Sequence, residues 1–202
     1  VVALDPARGE KAWEFASGDS VLAAPAVEGD RLVFGSFDGC VYALEAATGK
    51  LVWKRDTRGP VVSTPALVGD RVVVGNRSYD LLGLEAGTGE PAWTRYIWFS
   101  WVESSAAVRD GVVYVGSSDA AAVYAFDART GERRWKTDVY GWAWGQPAVT
   151  DARVYAGTAS QKDYLAGHKG LVVAMDRATG RPAWYYAAEP AATGSYGFPG
   201  SP

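Results

Sequence analysis

The chain has 202 residues and a formal net charge of −3, from 20 Lys and Arg against 23 Asp and Glu, with no long run of either sign. That balance argues against a nucleic-acid partner, which usually leaves a basic patch or stripe. No apolar run approaches the ~20 residues needed to span a bilayer, and the single cysteine, Cys40, excludes an intrachain disulfide.

Taken in order, residues 1–16 supply two strands, with VVALDPARGEKAW ending at Trp13. Residues 20–56 show a whole unit. SVLAAPAV (20–27) is an apolar first strand, RLVFGS (31–36) a second, CVYALEA (40–46) a third and KLVWKRD (50–56) a fourth. The turn FDG (37–39) contains Asp-Gly, which supplies the positive φ that hairpins favour. Short connections imply antiparallel neighbours in a meander. Similar units follow at 60–97, 100–138 and 142–187. GFPGSP (197–202) reads as the start of another, with Pro202 in the place held by Pro25, Pro65 and Pro147. The closing tryptophans Trp13, Trp53, Trp93, Trp135 and Trp184 are spaced 40, 40, 42 and 49 residues apart. A period near 40 marks a repeat architecture. The expectation is an all-β fold, a β-propeller of four-stranded antiparallel blades, here four full blades with partial blades at both ends. The chain reads as a segment of a longer propeller, with room outside it for a signal peptide or lipid anchor.

The repeated pattern is Ala-x-Asp/Glu-x-x-Thr-Gly-x-x-x-Trp. Ala3, Ala43, Ala125 and Ala174 hold its first position, where Gly83 substitutes once. Asp5, Glu45, Glu85, Asp127 and Asp176 hold the acidic position, and Gly9, Gly49, Gly89, Gly131 and Gly180 complete the turn. Thr48, Thr88, Thr130 and Thr179 precede the glycine, and Arg8 departs from the pattern. Glycine permits φ > 0 in the turn, and the acid and threonine can bond nearby backbone groups. A Trp buries roughly 200 Å² and can seal one blade against the next. Acids recurring in every blade read as structural.

This pattern resembles the tryptophan-docking motif of the pyrroloquinoline quinone (PQQ) repeat propellers, over five copies and nearly the whole chain. The resemblance implies that each of the five tryptophans stacks on the neighbouring blade's turn. It also implies an extracytoplasmic, periplasmic setting.

Function is expected where the blades differ. In a propeller the turns after the second and fourth strands share one face, and three departures fall there. YIWFSWVESS (96–105) brings Trp98 and Trp101, and VYGWAWGQP (139–147) brings Trp142 and Trp144. The matching stretch TRGPVVSTP (57–65) has no aromatic residue. These rings either line the channel mouth, stacking on a planar ligand, sugar or peptide, or fill the gap between inner strands. The connection from the second-strand glycine to the third strand takes fifteen residues in the fourth full unit (Gly157 to Val172), against six between Gly35 and Val41. Its excess lies in 159–170, which carries Tyr164 and His168, the only histidine. Loops on rigid scaffolds concentrate binding residues. The third departure is AAEPAATGSYGFPGS (187–201). Asn76-Arg77-Ser78 is a formal glycosylation sequon.

The resemblance implies two outcomes. One is a non-catalytic propeller, similar to the lipoprotein scaffold of outer-membrane β-barrel assembly or to sensor domains of bacterial kinases. It would bind a protein or small-molecule ligand on one face, with no catalytic residue, no metal and no cofactor. The other is a quinoprotein alcohol dehydrogenase holding PQQ and calcium. Such enzymes commonly carry an adjacent cysteine pair, whereas this chain has Cys40 alone, and Asn76 is its only asparagine. The scaffold is the preferred reading. Cys40 reads as a small buried apolar side chain.

Overall fold

A computed structural model describes residues 1–161, 170–187 and 195–197, the side chains of 160, 161 and 195–197 excepted. Every regular element among them is a β-strand. Val2–Leu4 (β1) pairs with Lys11–Glu14 (β2). Four antiparallel four-stranded sheets follow. The first contains Ala26–Glu28 (β3), Arg31–Gly35 (β4), Cys40–Glu45 (β5) and Leu51–Asp56 (β6). The second contains Ala66–Val68 (β7), Arg71–Gly75 (β8), Asp80–Glu85 (β9) and Pro91–Tyr96 (β10). The third contains Ala107–Arg109 (β11), Val112–Gly116 (β12), Ala122–Asp127 (β13) and Arg133–Asp138 (β14). The fourth contains Ala148–Val149 (β15), Arg153–Gly157 (β16), Leu171–Asp176 (β18) and Pro182–Ala187 (β19). Ala159–Gln161 (β17) leaves that sheet and pairs with Ser195–Gly197 (β20).

The first strands β3, β7, β11 and β15 lie against one another more closely than the fourth strands do. The sheets therefore radiate from an axis as propeller blades. The middle strands are covered on both faces by neighbouring blades. This is why they read as unbroken apolar runs such as RLVFG and CVYALE, and do not alternate. The outer strands β6, β10 and β14 are half covered, as in LVWKRD with Trp53 inward, whereas β19 is exposed along its length.

The first strands are shorter than the apolar runs 20–27 and 60–67 suggest. The residues before them leave the ladder and bond to loops. Phe37 N–H donates to Ser20, Arg77 N–H to Pro60, Ser118 N–H to Trp101 and Ala159 N–H to Trp142, all at main-chain carbonyls of the same blade. Val61 N–H donates to Ser36, Val102 N–H to Asn76 and Ala143 N–H to Ser117, each reaching the preceding blade. A staggered belt of backbone bonds thus runs around the axis. At two of its crossings it needs glycine at the end of the second strand. A Cβ on Gly75 would lie 2.3 Å from the Val102 carbonyl oxygen, and one on Gly116 would lie 2.1 Å from that of Ala143.

On the opposite face the indole N–H groups of Trp13, Trp53, Trp93 and Trp135 donate to the carbonyls of Ala46, Ala86, Ala128 and Arg177, each 3.0 Å away in the next blade. Each ring lies across the next turn's glycine, Gly49, Gly89, Gly131 or Gly180, at φ between 67° and 73°. Trp184 packs beside Tyr155 and is half exposed. The acid in the turn takes different partners from blade to blade. Asp127 and Asp176 accept from two backbone N–H groups and the threonine hydroxyl. Glu85, one methylene longer, reaches Arg71 at 2.8 Å. The bonds hold the Asp176 carboxyl below the ordinary value of 3.8, led by the Thr179 hydroxyl. That of Asp127 is lowered chiefly by Arg134.

Candidate partner-binding face

The belt fixes the blade entries, so residues in the same place relative to its bonds can be matched from blade to blade. The corresponding pairs are Ser20 and Leu22, Pro60 and Val62, Trp101 and Glu103, and Trp142 and Trp144. Hydrogen-bonded beside them are Phe37, Arg77, Ser118 and Ala159. The face changes around the axis from small and aliphatic to aromatic and charged.

Trp101 is 40% exposed. The Arg77 guanidinium lies 5.1 Å from its ring centre and 5.5 Å from that of Phe37, and bonds Glu103 at 2.6 Å. A cation flanked by rings and fixed by a carboxylate is a rigid feature. Trp142 and Trp144 stack, with centroids 4.9 Å apart and planes at 15°. Trp142 is 8% exposed and its backbone pairs both ways with Ala159. Trp144 rests on it at 37% exposure. Ala159 is also opposite Gly197. Three irregular stretches of sequence, at 139–147, 159–170 and 187–201, are thus joined through one short ladder.

The four tryptophans proposed from sequence do not form one patch. Among the described residues, Trp98 makes ring contacts with Tyr96 and Phe99, and Tyr79 joins them. Among the described residues, none of these rings makes a ring contact with Trp101 or Trp144. Trp98 stands at the rim, 72% exposed. Tyr164 and His168 lie outside the described residues, as does Pro202. Arg77, Glu103 and Phe37 escaped the sequence reading. Their signal was positional, since Arg77 and Phe37 both lie two residues after a second-strand glycine.

The sequon at Asn76 is not an acceptor in this fold. Its side chain is buried, accepts from Ser78 N–H and Asp80 N–H, and donates to the Thr57 carbonyl at 2.8 Å. Cys40 is buried as expected, and burial pushes its thiol up, away from a reactive thiolate.

With this geometry in place, comparison with known proteins is decisive for the family. A family model described as outer membrane protein assembly factor BamB matches residues 1–98 and 95–198. The chain belongs to the BamB family. BamB from Moraxella catarrhalis superposes with a TM-score of 0.67 at 23% identity, over 88% of this chain and 65% of that one. Quinohemoprotein alcohol dehydrogenase from Comamonas testosteroni superposes at 0.74 with 22% identity, over 85% of this chain and 35% of that one. The quinohemoprotein alcohol dehydrogenase ADHIIG from Pseudomonas putida HK5 gives 0.76 at 22%, over 88% and 35%. At these identities the likeness shows the PQQ-repeat propeller fold alone. The chain spans under two thirds of the length of each. A search of curated proteins gave no match.

Proposed function

We propose that this BamB-like propeller is a non-catalytic scaffold in the periplasm that holds a protein partner on the face carrying Arg77, Trp101, Glu103 and Trp144. The observation that carries this reading is the exposure of Trp101 and Trp144 on entries pinned by backbone bonds on both sides. Rigid tryptophan and arginine are the residue types that anchor interfaces. Trp142 serves from beneath, by stacking. Tyr164 and His168 remain candidates on sequence grounds. Family membership suggests outer-membrane protein assembly as the setting.

The test is photo-crosslinking from residues 101 and 144, with residue 52 on the outer strand β6 as control. Adducts with outer-membrane β-barrel proteins or their assembly factors are expected from 101 and 144, and Trp144→Ala should abolish the adduct at 101. Equal adducts from residue 52 would refute the assignment.

The redox reading fits less well. Among the described residues no three His, Cys, Asp or Glu side chains are placed to hold a metal ion. The Asn76 amide oxygen is consumed within its own turn and its amide nitrogen by the Thr57 carbonyl. These residues do not fit PQQ with calcium, and adding both should leave no bound quinone absorbance.

A further inference from the structure

The rim between the first and second full blades carries a feature that the partner face does not use. A groove of about 510 Å³ is lined by Arg55, Asp56, Arg58, Asp80, Leu82 and Thr94, among others. Asp80 is an intruder in the repeat. The matching third-strand positions hold Cys40, Ala122 and Leu171, all buried. Burial pushes the Asp80 carboxyl above the ordinary range, with Arg58 pulling it back. Among the described residues the Asp80 carboxylate accepts no hydrogen bond, and the Arg58 guanidinium donates none. Both are half-buried or exposed and open to a ligand.

An aromatic cluster adjoins the strand pair that lines this groove. Tyr96 is paired with Asp80 across β9 and β10 and lies two residues beyond Thr94, on the same side of its strand. Trp98 meets Tyr96 edge-on at 5.9 Å and Phe99 at 4.8 Å. Tyr79 contacts Tyr96 and Phe99. Tyr96, Trp98 and Phe99 are each more than half exposed. Tyr79, at φ 71°, holds the place that Gly39 holds in the first blade at φ 82°. A ring is thus kept where a glycine would relieve the backbone.

We propose that this groove and the adjoining aromatic cluster bind a neutral, β-linked, gluco-configured oligosaccharide. In such sugars the ring hydroxyls are equatorial, so each ring presents a flat face of C–H bonds that stacks on exposed indole and phenol rings. The hydroxyl edge then meets Asp80 as acceptor and Arg58 as donor. The two open side chains are of opposite sign, so a neutral polyhydroxy ligand satisfies both, whereas a charged ligand would oppose one of them. The groove lies within the size range of small-ligand sites.

The experiment is calorimetric titration of the purified protein with tetra-N-acetylchitotetraose, cellotetraose and an end-capped, uncharged tetrapeptide. Saccharide binding is expected, weakened about tenfold or more in Trp98→Ala and in Asp80→Asn, each about 1.4 kcal/mol at that factor. It should be unchanged in Trp144→Ala, which separates this groove from the partner face. Unchanged thermal melting in Trp98→Ala and Asp80→Asn would show that both still fold. No saccharide heat, binding of the peptide alone, or saccharide binding that survives both rim substitutions would overturn the proposal.

Discussion

The two faces of the ring are built by opposite rules. On the face of the third-to-fourth-strand turns one device is used again and again. A tryptophan crosses to the next blade, donates to a carbonyl, and covers a left-handed glycine. On the face of the entries only the backbone belt repeats, and the side chains differ from blade to blade. Pro60, Trp101 and Trp142 occupy one position, and Asp80 stands where its counterparts are apolar. The regular face therefore carries cohesion, and the irregular face is where we place recognition, because stacking needs identical partners while a binding site must not be copied around the ring.

Substitutions can break this contrast, starting on the regular face. Trp93→Ala removes a buried ring from Gly131 and the donor to Ala128, and should cost about 3–5 kcal/mol in urea unfolding. A loss below about 1 kcal/mol would sink the division of labour. Next is the belt. Gly75→Ala places a methyl against the Val102 carbonyl, an immovable neighbour, and should cost about 1–3 kcal/mol.

Acid should attack the turns next. Asp127 and Asp176 are held below the ordinary 3.8 by hydrogen bonds to their charged forms. Their contribution is present above that pH and is lost as pH falls through the lowered values. Asp80, raised by burial, has the opposite sign. Its contribution is full at low pH and is lost as pH rises through its folded value, so Asp80→Asn should not destabilise the protein at neutral pH. A melting-temperature profile of wild type against Asp127→Asn and Asp80→Asn reads both signs. The smallest stability effect is expected at the rim. Trp98→Ala should stay within about 0.5 kcal/mol, and a larger loss would make that ring part of the core.

Much of this architecture was legible in the sequence. The 40-residue spacing of Trp13, Trp53 and Trp93, the left-handed glycines and the apolar middle strands follow from local periodicity, which a linear chain displays directly. The candidate site was legible only as departures from that period. Trp101 and Trp144 could be picked out, but not their separation from Trp98, nor the burial of Trp142 beneath Trp144. Arg77 gave no sign of its place between Phe37 and Trp101, residues 40 and 24 positions away. The sequence by itself determined the repeat, and with it the blade and the contact between blades, because those rest on neighbours at a constant offset. Only the tertiary structure decided which irregular side chains meet, because closing the blades around an axis brings together residues with no fixed spacing. It also decided that Asn76 is sealed in a turn and that Asp80 opens to a groove, since burial belongs to the packed ring and not to any one stretch of chain.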